Sequence, residues 1–265
     1  MKRVVFFLAV TVLTTMNTFS QKKETREVAN FTGIEASSVF DITVVKGNSE
    51  SLIIEADDNV MPYVRSEVRN GVLHLYLDKN KLKNIKTLKA SIVMRNLDNV
   101  ILSGACKLTV NDMFSSEKFI VKCSGVSNLI INVNTGNLNL ESSGACKIQI
   151  KANVTGDADL SVSGTSKLQS ELKANNVILN SSGTGTIDLN GSARNLNINT
   201  SGTANIKAEN FTVKTATINS SGASKTNVNV ADILVVNASG TSSVNYKGTP
   251  SITFNSAGVA KIRNL

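Results

Sequence analysis

The stretch Val177-Ile-Leu-Asn-Ser-Ser-Gly-Thr-Gly-Thr-Ile-Asp-Leu189 is answered nineteen residues later by Leu196-Asn-Ile-Asn-Thr-Ser-Gly-Thr-Ala-Asn-Ile-Lys-Ala208. Each has a small residue followed by Gly, with apolar and polar residues alternating on both sides. The same pattern is anchored at Gly104, Gly125, Gly144, Gly164, Gly183, Gly202, Gly222, Gly240 and Gly258, with steps of 21, 19, 20, 19, 19, 20, 18 and 18 residues. Four residues after each Gly stand Leu108, Leu129, Ile148, Leu168, Ile187, Ile206, Thr226, Val244 and Ile262. Four residues before stand Val100, Val121, Leu140, Leu160, Leu179, Ile198, Ile218, Val236 and Phe254. Alternation with period two, restarted every repeat, means two short strands per unit, each with one apolar face.

One such unit cannot bury its own apolar face. Stacked units can, because each strand pairs with its equivalent in the next repeat. The columns therefore predict an all-β parallel β-helix, a β-solenoid of about 19–20 residues per coil, with like side chains on like. Nine coils at roughly 4.8 Å give a rod of about 43 Å. The composition agrees. The 265 residues hold no Trp, 5% aromatics, 17 Gly and 32 Asn, and 41% are hydrophobic. A thin aliphatic core has no room for large rings, and the chain is too apolar for disorder.

Three columns invite a functional reading. Three residues before Gly stand Asn180, Asn199, Asn219, Asn237 and Asn255. Stacked amides make a structural ladder, and a ligand-binding stripe is the alternative. Three residues after Gly, the basic positions are Lys107, Lys147, Lys167, Lys225 and Lys261. An outward lysine column is a solvated face that blocks sheet aggregation; it is also the candidate binding surface for an anionic glycan. Two residues after Gly the column is small throughout, so Cys106 and Cys146 read as small buried residues. They lie two coils apart, nearly 10 Å on the same spacing, too far for a disulfide. Cys123 makes the count odd, and no pairing is required.

The rest of the chain reads as targeting and cap. Lys2 and Arg3 precede the apolar run from Val4 to Leu13, and Thr18-Phe-Ser20 offers small residues for cleavage. Residues 1–20 are thus expected to be a signal peptide, too short to span a bilayer. Its loss lowers the formal net charge from +8 to +6, the difference being Lys2 and Arg3. The expected destination is the periplasm, the outer-membrane surface or the medium, with no membrane span in the mature chain. Residues 21–100 lack the Gly column but are strand-rich: Ser38–Val45, Ser51–Ala56 and Val72–Leu77 read as strands, the last after an Asn70-Gly71 turn. Met61–Arg65 reads as a short helix or bend, and Lys79–Lys89 as a surface loop before Ala90–Met94. This segment is placed to cap the first coil, continuing the stack, with residues 101–265 as the solenoid proper and both forming one domain. Only seven residues follow Gly258, so the last coil is expected to offer an unpaired edge to a second copy.

Phe31-Thr-Gly-Ile-Glu35, Asp41-Ile-Thr-Val-Val45, Asn70-Gly-Val-Leu-His-Leu-Tyr76 and the repeated Ser-Gly-(Ala/Thr)-x-(Lys/Asn)-(Leu/Ile) together resemble the auto-transporter adhesin, head GIN domain family of Bacteroides-type bacteria. The resemblance covers about residues 28–265. It implies an exported, right-handed parallel β-helix with an adhesin role, and brings no catalytic residues.

Chemistry is sparse. The solenoid carboxylates Asp157, Asp159, Glu171, Asp188 and Glu209 do not recur in one column at neighbouring coils. His74 alternates with Leu73 and Leu75 and reads as a strand residue on the polar face. Asp57-Asp58-Asn59 reads as a polar turn more readily than as a cation site. No phosphate loop, cofactor fingerprint or nucleic-acid signature is present, so no cofactor or metal is expected. The leading expectation is an exported non-enzymatic adhesin or envelope scaffold contacting glycans or surface proteins. A polysaccharide lyase or hydrolase on a β-helix, and a periplasmic protein assembling through its C-terminal edge, are the alternatives.

Overall fold

The computed structural model describes residues 21–78 and 84–265; residues 1–20, where a signal peptide is expected, and residues 79–83 of the lysine-rich stretch lie outside the described residues. Among the described residues the elements are strands joined by short turns, and one 3-10 turn at Met61–Tyr63 with Pro62 in its first positions. In chain order the strands are β1 (Gln21–Arg26), β2 (Gly33–Ala36), β3 (Asp41–Lys46), β4 (Ser51–Asp57), β5 (Val64–Arg69), β6 (Val72–Leu77), β7 (Leu88–Met94) and β8 (Asn99–Leu102). They continue as β9 (Lys107–Cys123), β10 (Asn128–Ser142), β11 (Lys147–Val154), β12 (Asp157–Val162), β13 (Lys167–Gly183), β14 (Thr186–Gly202), β15 (Asn205–Ser220), β16 (Lys225–Ala238), β17 (Ser243–Lys247), β18 (Ser251–Ser256) and β19 (Lys261–Asn264).

From β8 onward the coils stack in chain order through parallel pairing. Leu108, Leu129, Ile148, Leu168, Ile187, Ile206, Thr226, Val244 and Ile262 form one unbroken register line. From Leu108 through Val244 these residues are buried. Each aliphatic side chain removed from water contributes roughly 1.5–3 kcal/mol, opposed by the entropy of ordering the chain. The β-solenoid expected from the columns is the fold observed.

The repeat glycines hold the turn. All nine have φ between +71° and +100°. A Cβ on Gly125 would lie 2.3 Å from the carbonyl oxygen of Gly104. That oxygen accepts the amide of Val126 at 2.7 Å, and Gly125 O in turn accepts the amide of Ala145 at 2.8 Å. The backbone thus turns tightly enough at each coil for one carbonyl to bond the coil above, and only Gly combines the left-handed φ with so close an approach.

The N-terminal region departs from simple stacking. Strands β2 and β3 make a coil that lies between β6–β7 on one side and β8–β9 on the other. After β1, the chain lays down the second layer first (β2–β3), then builds the layer beneath it (β6–β7), and then crosses back to β8–β9. Strands β1, β4 and β5 pair antiparallel onto this end: β4 on β7, β1 on β4, and β5 on β6. The two-residue Asn70-Gly71 turn joins β5 to β6, both residues having positive φ, as a tight hairpin demands.

The strand expected at Ser38–Val45 begins only at Asp41, because Ser37 and Ser38 form the coil's turn. Ser38 has φ +81° and donates its carbonyl position to the same ladder: Ser38 O accepts the amide of Ala105 at 2.7 Å. A serine therefore occupies the glycine column one layer below Gly104.

Candidate functional site

The asparagine column is a ladder of side-chain amides. Asn199 Nδ2 donates to Asn180 Oδ1, Asn219 Nδ2 to Asn199 Oδ1, Asn237 Nδ2 to Asn219 Oδ1 and Asn255 Nδ2 to Asn237 Oδ1, each at 2.9 Å. Parallel, in-register strands bring identical side chains to one spacing, so each amide within the ladder donates to the coil below and accepts from the coil above. A shorter run at another edge works alike. Asn176 Nδ2 donates to Asp157 Oδ1 and Asn195 Nδ2 to Asn176 Oδ1, both at 2.7 Å.

Asn180, Asn199, Asn219 and Asn237 of the ladder form one wall of a groove of about 590 Å³, which crosses five coils from Ser161 to Ser239. Beside the amides it is lined by the residues just before each Gly: Ser182, Ser201, Ser221 and Ser239 at the mouth, with Ser181, Thr200 and Ser220 beneath. An adjoining groove of about 520 Å³ shares Ser161 and Ser163 and continues past Ser142 and Ser124 to Ile101. The exposed Lys122–Glu141 ion pair, 3.1 Å, stands on that second section. No charged side chain lines the first. In the sequence these serines read as the small partner of a turn glycine. The signal that could have found the groove was the hydroxyl at both positions before Gly in coil after coil.

Beneath the groove the hydroxyls bond one another. Ser142 Oγ donates to Ser166 Oγ at 2.8 Å, and Thr200 Oγ1 to Ser224 Oγ at 3.1 Å. Ser181 Oγ, in the same column, is buried without a partner. The residue that would meet it in its own coil is Gly185, whose added Cβ would sit 3.8 Å from that oxygen.

The lysine column lies past the turn, on the next face, and none of it lines the principal groove. Lys147 and Lys167 are register neighbours. Lys107 stacks on Asp41 and pairs with it at 3.5 Å. Lys225 lies between Asn205 and Ser243, and Lys261 above Ser243. The structure therefore brings together one lysine pair and spaces the others with neutral residues.

The candidate chemical groups are dispersed. Asp57 is buried and its Oδ2 accepts the backbone amides of Lys86 at 2.7 Å and Thr87 at 3.2 Å, tying the loop before β7 to β4. His74 Nδ1 stands 3.5 Å from Glu35 Oε2 across the outer face of β6 and β2. Beside it Glu67 accepts from Tyr76 Oη at 2.7 Å and from Arg69. These bonds hold the Glu67 carboxyl below its usual range, the Tyr76 hydroxyl bond contributing most. In the solenoid Glu171 pairs with Lys151 at 2.9 Å, and Asp188 accepts from Asn190 at 3.0 Å. Among the described residues no group of three or more His, Cys, Asp and Glu side chains converges to hold a metal ion. No described helix is long and apolar enough to cross a membrane.

Crystal structures of similar fold come from Parabacteroides species. One from Parabacteroides merdae, named a "putative adhesin", has a TM-score of 0.74 at 20% identity and covers 94% of this chain and 97% of its own. A "putative adhesin" from Parabacteroides distasonis gives 0.69 at 20% identity, covering 94% and 98%. A protein from the same organism named a "putative lipid binding protein" gives 0.67 at 18%, again covering 94% and 98%. At such identities the likeness shows the fold. No curated protein matches the chain. A family match spans residues 30–169 and 139–250, so from the first coil through nearly the last the repeats carry the family's pattern, and the chain belongs to the family described as "Putative auto-transporter adhesin, head GIN domain".

Proposed function

We propose that the chain is an exported, non-enzymatic binding protein of the cell envelope, and that its serine and asparagine groove receives an extended, weakly charged polymer, a glycan before a protein surface. The observation that carries this reading is the uncharged groove that repeats its hydroxyls over five successive coils and its amides over four of them. A site that repeats with the coil suits a ligand that repeats as well. Hydroxyls and amides both donate and accept, as a sugar's hydroxyls require. One coil spacing, about 4.8 Å, is close to the length of one sugar unit in a stretched chain. The family's adhesin description is in keeping with a contact role. An enzyme would need two carboxylates facing one bond, whereas Glu171, Asp188 and Asp157 are each engaged by a neighbouring Lys or Asn.

A glycan array with the purified protein, joined to a polysaccharide-cleavage screen, tests the proposal. Binding to neutral or weakly charged glycans is expected. Ser201→Arg and Ser221→Arg, both at exposed groove positions, should weaken it roughly tenfold or more, about 1.4 kcal/mol. Lys147→Glu together with Lys167→Glu should leave it unchanged. Cleavage of any polysaccharide, or binding that follows the lysines rather than the serines, would overturn it.

A further inference from the structure

The two positions flanking each repeat Gly by two residues meet beneath the turn. The residue two before Gly in one coil touches the residue two after Gly in the coil above: Ser142 with Ser166, and Thr200 with Ser224. Cys123 stands two before Gly125, and Cys146 two after Gly144. They are therefore the thiol counterpart of those hydroxyl pairs, placed by the same register beneath the turn, and they stand close enough to shift each other's ionisation. Cys106 lies a coil below, where its Sγ donates to its own turn at Ser103 O, 3.2 Å. All three side chains are buried and unbridged.

We infer that Cys123 and Cys146 form a coil-to-coil disulfide when the chain folds in the presence of a disulfide oxidant, and that Cys106 is left as a free buried thiol. The chemistry is thiol–disulfide exchange. The Cys146 thiolate attacks one sulfur of a small-molecule disulfide, forming a mixed disulfide and expelling one small thiolate, which takes up a proton. Cys123 loses its proton and attacks Cys146 Sγ, and the second small thiol departs. Two protein thiols are oxidised and one small disulfide is reduced to two thiols. The roles follow from the local bonds. The neighbouring Cys123 thiol, with support from Ser142 and the backbone of Ser127 and Ser143, lowers the Cys146 thiol to about 6. The same neighbour, together with burial, pushes the Cys123 thiol up. Burial raises the Cys106 thiol to about 11, so it is a poorer attacking group than Cys146, and its Sγ is turned to Ser103 O of its own coil. Because both thiols are buried in the finished rod, the exchange belongs to late folding, when these two coils and their turn have formed and the surrounding core is still open. Nothing in this inference depends on the ligand of the groove.

The test is oxidative refolding of the full protein from denaturant in a mixture of reduced and oxidised glutathione, followed by alkylation in denaturant and peptide mapping. The expected product has lost two hydrogens, links the peptides containing Cys123 and Cys146, and carries one alkyl group on Cys106. Cys106→Ser should keep the link, while Cys123→Ser and Cys146→Ser should each abolish it. Serine occupies both columns elsewhere, so these variants are expected to fold, and circular dichroism checks that they do. The oxidised protein should melt several degrees above its reduced form, a difference that vanishes in Cys123→Ser. Three alkylated cysteines in the refolded protein, or a link that includes Cys106, would overturn the inference.

Discussion

The solenoid from β8 onward and the N-terminal region from β1 to β7 solve the same burial problem in different orders. In the solenoid, neighbours in sequence are neighbours in space. One rule, a Gly turn with apolar residues four positions either side, serves every layer but one, where Thr226 stands in the column. In the N-terminal region the coil of β2 and β3 is sandwiched between layers that come later in the chain. Its turn is Ser37-Ser38 instead of Ser-Gly, and its small-residue column holds Phe40. The contrast shows that the stack itself demands a left-handed turn and an apolar column. It does not demand glycine, small size or chain order, and these loosen where antiparallel strands close the rod.

The comparison breaks most sharply at Phe40. This ring is fully buried, in a column that elsewhere carries Cys, Ser, Gly or Ala. Phe40→Ala is expected to cost roughly 3–5 kcal/mol, as for other buried rings. Urea unfolding should show one transition moved to lower denaturant. A second transition, with the solenoid keeping its own midpoint, would mean that the two regions do not fold as one unit.

Gly125→Ala comes next. It forces a Cβ against Gly104 O and an L residue into φ +73°. A loss of roughly 2–4 kcal/mol is expected, from left-handed strain plus overpacking. An unchanged midpoint would show that the solenoid turns reshape as freely as the capping end. In the opposite direction, Thr226 is fully buried in the aliphatic column with its hydroxyl unpartnered. Thr226→Val keeps the shape and removes the desolvated hydroxyl, so a gain of about 1 kcal/mol is expected in the same assay. A loss would mean that the column selects for something other than apolar contact.

The sequence was most legible where chain order and layer order coincide. The line from Leu108 to Ile262 and the asparagine ladder could be read from columns alone, because in-register stacking is the only arrangement that makes a column meaningful. The capping end was read as strands, yet the nesting of β2–β3 was not. A segment placed out of order leaves no period, and Ser38 hid the turn by not being Gly. Even so, Ser37-Ser38-Val-Phe-Asp-Ile42 matches Ser103-Gly104-Ala-Cys-Lys-Leu108 position for position. The groove was only partly legible, since a hydroxyl before a turn glycine reads as a turn former until the stack sets several side by side. The cysteine contact needed the structure as well. Cys123 and Cys146 lie in different columns, and only the bend beneath the turn brings those columns together.

Ser38 supplies the smallest and most discriminating comparison. Its φ of +81° lies within the range of the nine repeat glycines, and its carbonyl serves the same ladder. An L residue held left-handed costs about 1–2 kcal/mol. Replacing it by Gly removes that strain but adds backbone freedom to the unfolded chain, worth roughly 0.5–1 kcal/mol. Ser38→Gly should therefore stabilise by about 0.5 kcal/mol, the difference between those two effects. Its sign is opposite to that of Gly125→Ala although both exchanges occur in one column. If Ser38→Gly destabilised instead, the serine hydroxyl or the half-buried setting of this turn would be contributing something that the glycine turns lack. The first coil would then be a distinct structure rather than a solenoid coil met out of order.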